Sequence, residues 1–333
     1  MDKNAFISMI SALDAHFKNE SKQEEIEFFI EKAANANPWF SLEVLRFSLS
    51  AIQEAYLDVK AWEQFFEEET WSKPKHARKV GLILAGNLPA VGLHDVLMVL
   101  ASGHAPQVKL SSQDQIFMGY FLDLMSSYAP DVDFVRVEQM NAVDAVIATG
   151  SDFAGRYFEQ YFKQMPHIIR KNRSSVAVLK GNEGPEEWKA LAQDVFAYYG
   201  LGCRNVSSIF LPEGMDLIPL FDVLSAETWV MQHPKYANNY AYQRAKLLLN
   251  QEVHYDLGNA LVKVSEELIS PLSVLHLHYY QGEDQLAQTL AQYESQIQCC
   301  VGHQGLPLGE AQRPGLKDWA DGINTYAFLK NLN

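Results

Sequence analysis

The sequence predicts an α/β protein in which a helical N-terminal region precedes strand–helix units that build an open parallel sheet. Two observations carry that expectation. From about residue 79, short apolar runs alternate with amphipathic helices, the rhythm of βα units. Before that point, apolar residues recur only at helical spacing. A chain of 333 residues is also long enough for two or three domains around a large core.

The elements follow in order. Ile7, Ile10, Leu13 and Phe17 recur at helix spacing, as do Ile26, Phe29 and Ile30. Asn37-Pro38-Trp39-Phe40-Ser41 breaks the pattern, and Ser41 is placed to cap a helix from Leu42 to Leu57. The glutamates of 63–69 read as a solvated helical face, and Ser72-Lys73-Pro74-Lys75 as a linker. Strands are then expected at 80–84, 107–110, 132–137, 142–148 and 175–179. The helices between and after them span 91–101, 113–127, 152–164 and about 185–199. Further on come strands at 209–211, 273–278 and 297–301, with helices near 217–224, 240–249 and 283–293. There is no internal repeat and no low-complexity segment.

Composition removes several function classes. The net charge of -14 leaves no basic excess to neutralise phosphates, which argues against a nucleic-acid partner. Three cysteines, two of them adjacent, give no disulfide framework and suit a reducing compartment. No apolar run approaches membrane-spanning length and the N-terminus does not read as a signal peptide, so a cytoplasmic protein is expected.

The candidate reactive group is Cys203, in Gly200-Leu201-Gly202-Cys203-Arg204-Asn205. Glycines let backbone turn sharply or approach a ligand closely, and a thiolate presented this way attacks carbonyl carbon. A small buried cysteine filling a gap is the competing reading. The other candidate lies at the end of the first strand, where ligands of open α/β sheets bind. There Gly86-Asn87-Leu88-Pro89 offers an amide donor suited to an oxyanion; plain turn chemistry accounts for the same residues. The usual Gly-x-Gly-x-x-Gly fingerprint is absent. Ten histidines raise the question of a metal, but no His/Cys/Asp cluster has zinc spacing, and no metal is expected.

Taken together, these loops resemble the aldehyde dehydrogenase superfamily. The match is to its fatty acyl-CoA reductase branch, which includes the reductase component of bacterial luciferase operons. The resemblance covers about residues 79–330, and Pro166-His167-Ile168-Ile169-Arg170-Lys171-Asn172-Arg173 and Trp319-Ala320-Asp321-Gly322 also look like that branch. It implies an aldehyde-dehydrogenase-like α/β fold, with an open parallel-sheet cofactor-binding domain, an α/β catalytic domain and a helical N-terminal region. The implied boundaries are 1–75 for the helical region, 76–180 for the NAD(P) domain and 181–310 for the catalytic domain. The segment 311–333 would return to the cofactor domain or to an oligomer interface. By resemblance, Cys203 is the nucleophile and Asn87 the oxyanion donor. Lys109 would contact the adenosine ribose, Gly150 and Ser151 would border the nicotinamide and pyrophosphate, and Glu267 would hold the nicotinamide ribose, although Ser270 stands where the family has glycine.

Two departures from the family pattern shape the functional expectation. The stretch 166–180, where hydrolytic members carry a glutamate base, has no Asp or Glu. Without a positioned base, water is poorly activated to attack an acyl-enzyme, which favours thioester reduction over oxidation to free acid. Ser112 replaces the glutamate that bonds the 2′-hydroxyl, so a 2′-phosphate is tolerated and Lys109 is a counter-charge. The expectation is NADPH-dependent reduction (NADH being the alternative) of a fatty acyl-CoA or acyl-protein thioester to an aldehyde. The resemblance further implies a homo-oligomer and admits an acyl-transfer partner protein. A non-redox acyltransferase or thioesterase using Cys203 is a second reading, and a non-catalytic partner of an acyl-transfer complex a third.

Overall fold

The computed structural model describes residues 1–132, 134–150 and 152–332. The chain divides into two compact units, Met1–Lys171 with Pro314–Asn333, and Asn172–Arg313.

The first unit opens with α1 (Lys3–Lys18), α2 (Gln23–Ala36), α3 (Leu42–Tyr56) and α4 (Val59–Glu68). Their boundaries are chemical. Asp2 accepts from the Ala5 amide at 2.8 Å, and Ser41 Oγ accepts from Val44 at 3.2 Å, each satisfying a first-turn donor that the helix itself leaves open. The apolar stripes meet in a common core, where the Phe6 ring stands edge-on to Trp62 at 4.7 Å and to Phe66 at 5.6 Å.

The rhythm then changes as expected, to β1 (Lys79–Ile83), α5 (Leu93–Ala101), β2 (Ala105–Lys109), α6 (Phe117–Tyr128), β3 (Val135–Arg136), β4 (Ala145–Thr149), α7 (Asp152–Phe162) and β5 (His167–Arg170). The strands form a parallel sheet in the order β3-β2-β1-β4-β5. Three details differ from the sequence reading. The third strand shrinks to two residues. The helix expected from 113 begins at Phe117, because Asp114 stays outside it and accepts from the Met118 amide at 3.0 Å. The strand β5 was not expected, since its inward positions are Ile168 and Arg170, and a buried arginine breaks the apolar alternation.

The second unit holds β6 (Ser174–Val178), α8 (Pro185–Phe196), β7 (Val206–Pro212), α9 (Ile218–Ala226), α10 (Pro234–Leu249), β8 (Tyr255–Asp256), β9 (Leu261–Val264), β10 (Val274–Tyr280), α11 (Gly282–Tyr293) and β11 (Ile297–Gly302). Its sheet runs β11-β6-β7-β10-β9-β8, parallel except for the β8–β9 pair. The short β8 and β9 escaped the sequence reading because neither reaches five residues. Inward serines of β6 and β7 bond each other, Ser174 Oγ to Ser207 Oγ at 2.6 Å, as buried hydroxyls require.

The last residues rejoin the first unit through α12 (Thr325–Lys330), with Tyr326 and Leu329 in its core. Arg170 locks this return. The residue is 6% exposed, and its guanidinium grips the Asp95 carboxylate with both terminal nitrogens, Nη2 at 2.7 Å, while Nη2 also reaches Thr325 Oγ1 at 3.0 Å. The rings of His94 and His104 meet the carbonyls of Leu316 and Leu329 at 3.0 and 2.9 Å.

Candidate active site

In the first unit the chain runs outward from β1 through β2 to β3, then returns to place β4 on the other side of β1. Strand order therefore reverses between β1 and β4, and the carboxyl ends at such a reversal form a crevice where ligands bind. Asn87 is exposed in the loop that leaves β1 there. That loop is held from three sides. Ser48 Oγ donates to the Pro89 carbonyl at 3.0 Å, and Ala90, at φ 50°, gives its amide to Asp114 Oδ2 at 2.6 Å. Gly86 is pressed so closely on Ser111 that a Cβ would stand 2.6 Å from Ser111 Cβ. Asp114 is 3% exposed, and burial pushes its carboxyl up to about 6 against the pull of the amides it accepts. It missed notice in the sequence, although an Asp ahead of an apolar helical run is a cap signal.

Lys109 ends β2 in register with Ile83 and is exposed, as is Ser112 just beyond it. Gly150 follows β4; a Cβ there would lie 3.0 Å from Ala154 Cβ and 3.2 Å from the Phe158 ring. Ser151 lies outside the described residues. Asn87, Lys109 and Gly150 are thus brought to one edge of one sheet, with a close-set glycine and an exposed cation suited to a dinucleotide phosphate or ribose.

In the second unit Cys203 occupies a turn between α8 and β7, closed by the Asn205 amide on the Gly202 carbonyl at 3.2 Å. Tyr199, Gly200 and Gly202 all have positive φ, 55°, 77° and 95°, which explains both glycines. Cys203 is half-buried, not entombed. Its carbonyl accepts from Ser175 Oγ at 3.0 Å, and the same hydroxyl meets Cys299 Sγ at 3.0 Å and the Cys299 amide at 3.2 Å. Sequence could not reveal Ser175, because the contact depends on the register of β6 between β7 and β11. Arg204 Nε donates to the Ala311 carbonyl, so this arginine anchors the turn.

Glu267 lies in the loop from β9 to β10 with its side chain exposed. Its carbonyl meets His276 Nδ1 at 2.7 Å, and Leu272, further along the loop, would touch a Cβ at Gly200 at 3.1 Å. His276 and His278 are both buried on β10. The Ser208 hydroxyl gives its proton to the Leu268 carbonyl and so accepts from His278 Nε2 at 3.3 Å. Burial, with His276 beside it, lowers His278 to about 4. The segment 236–240 lies in the first turns of α10, its Tyr236 hydroxyl donating to the Asn259 carbonyl at 2.8 Å. Cys300, in β11, is raised to about 11 by burial; no disulfide occurs among the described residues.

Arg170 is spent on Asp95, and Lys171 pairs with Glu159 at 3.0 Å. Among the described residues, no group of His, Cys, Asp and Glu could hold a metal ion. No described helix is long and apolar enough to cross a membrane.

No protein-family model matches the sequence, and no curated protein matches it. Solved structures do. An aldehyde dehydrogenase from Bacillus cereus, in complex with NAD+, aligns with a TM-score of 0.64 at 14% identity, over 92% of this chain and 73% of that one. A variant of aldehyde dehydrogenase C from Pseudomonas syringae, with NAD+ and octanal, gives 0.66 at 13%, over 92% and 73%. A glyceraldehyde-3-phosphate dehydrogenase from Methanocaldococcus jannaschii, complexed with NADP, gives 0.62 at 12%, over 90% and 76%. The chain has the aldehyde dehydrogenase fold.

Proposed function

We propose that this protein reduces a fatty acyl thioester to an aldehyde through an acyl-enzyme on Cys203, using NADPH or NADH. The observation that carries the reading is the setting of Cys203. A half-buried thiol sits in a glycine turn of an aldehyde dehydrogenase fold, its carbonyl held by Ser175, and Ser175 comes from a stretch, 166–180, without a single carboxylate.

Cys203 Sγ, as thiolate, attacks the thioester carbonyl. The Cys203 backbone N–H and the Asn87 side-chain amide are the donors that the family resemblance assigns to the oxygen that gains the charge. Collapse expels the CoA or carrier thiolate, which takes up a proton, and leaves the acyl group on Cys203. A nicotinamide, when bound, would supply the hydride that reduces the acyl carbon. Lys109, Gly150, Ser151 and Glu267 are the residues assigned to hold the dinucleotide, and Ser112 leaves room for a 2′-phosphate. Once the acyl carbon is reduced, the Cys203–carbon bond breaks, releasing aldehyde and restoring the thiolate. The lack of a base in 166–180 protects the acyl-enzyme from water.

The test is intact-protein mass spectrometry after mixing with acyl-CoAs of several chain lengths. The expected result is an adduct mapped to Cys203, absent in Cys203→Ala, that disappears with aldehyde formation when NADPH is added. An adduct that persists with NADPH but passes to another thiol or to water would establish the transferase or thioesterase instead. No adduct at any chain length would sink the proposal.

A further inference from the structure

We propose that Asp194 is a positioning residue for Cys203, acting through the backbone of Ala311 and the guanidinium of Arg204. The proposal rests on reading Cys203 as the reactive thiol and requires nothing of the substrate.

Asp194 lies on α8 and is fully buried. A carboxylate is desolvated there at high cost unless donors replace its water. Two do: Oδ2 accepts the Gly309 amide at 2.6 Å and Oδ1 the Ala311 amide at 2.9 Å. Gly309, at φ 92°, lets this segment lie flat on α8, where a Cβ would come 3.1 Å from Ala190 Cβ. Ala311 is gripped a second time, since its carbonyl accepts from Arg204 Nε. Arg204 Nη2 is buried and has no partner among the described residues, so the guanidinium takes its place from the Ala311 bond and from the charge of Asp194. That charge acts on both groups: burial pushes the Asp194 carboxyl up to about 6, with the amides and Arg204 opposing, which leaves it ionised at neutral pH.

The path is therefore continuous, from Asp194 to Ala311 to Arg204, the residue after Cys203. It matters because the turn is soft. Gly200 and Gly202 gain no conformational restriction from a side chain, so the orientation of Cys203 is imposed from outside, by Ser175 on its carbonyl and by this clamp on its neighbour. The clamp also holds in place the cation carried by the residue next to Cys203, and a cation near a thiol favours thiolate.

The experiment measures alkylation of the protein by iodoacetamide from pH 6 to 9.5, without acyl-CoA or nucleotide. Peptide mass spectrometry separates Cys203 from the Cys299–Cys300 peptide. Asp194→Asn and Arg204→Gln are each expected to slow Cys203 alkylation about 10-fold near pH 7 and to move its pH midpoint upward. The double variant should be no slower than the slower single, because both act on one path. Arg204→Lys should recover part of the rate, and the other cysteines should be unchanged. If Asp194→Asn does not fold, Arg204→Gln and Arg204→Lys decide the matter, since they leave the buried carboxylate in place. Folded variants within about twofold of the parent, or effects that multiply, would overturn the proposal. Because no substrate is present, this outcome is read separately from reductase activity.

Discussion

Single residues account for most of the chemistry, and they differ in how visible they are in the sequence. Cys203 and Asn87 stand out because glycine and proline beside a reactive or polar group mark a built turn. Asp194, Ser175 and Asp114 do not, since each matters only for the backbone it meets from another part of the chain. His278 offers a direct test of this hidden layer. Its folded-state pKa of about 4 means that the folded protein refuses a proton which the unfolded chain accepts near 6.5. Stability from this group is therefore complete above about 6.5 and lost as pH falls toward 4, by up to about 3 kcal/mol. Asp114 and Asp194, both raised to about 6, act with opposite sign between about 4 and 6. His278→Gln should remove this contribution, so that its stability at pH 4.5 relative to pH 7, read by urea unfolding, exceeds the parent's. An unchanged difference between the two pH values would show that the ring is not held neutral.

At the level of elements, the sequence reading succeeded where signals are local. The cap at Ser41 and the strand–helix alternation from residue 79 needed only nearest neighbours. It failed for β5, where a core arginine replaces an apolar residue, and for β8 and β9, too short to show a period. The turn after β11 shows how narrow the tolerance becomes when elements meet. Gly302, at φ 88°, is placed so that a Cβ would fall 2.3 Å from the Val178 carbonyl oxygen of β6. Gly302→Ala combines left-handed strain with a backbone clash. It should cost more than about 2 kcal/mol, read as a lowered urea midpoint, whereas Gly214→Ala, with nothing within 4 Å, should carry only the strain. Equal losses at the two sites would argue against the close approach.

At the scale of the molecule, the ion pair of Arg170 with Asp95, joined by Thr325, is buried on both sides. Removing one partner leaves a buried charge unanswered. Arg170→Leu should therefore destabilise the protein by about 3–5 kcal/mol, and adding Asp95→Leu should recover much of that loss. Thermal denaturation of the two variants checks it; a double variant no better than the single would mean that the pair is not the source of the loss. The sequence showed Arg170 only as one of several basic residues, because its partners lie 75 and 155 positions away.

That arrangement fixes an order of events on the ribosome. Residues 172–313 are translated as an uninterrupted stretch, ahead of Thr325, Tyr326 and Leu329. The amino-terminal unit, though translated first, must wait for Thr325, Tyr326 and Leu329 to leave the exit tunnel before Arg170 and its hydrophobic interior are complete. The amino-terminal unit thus completes its interior with residues translated after the whole of 172–313, the stretch that carries Cys203.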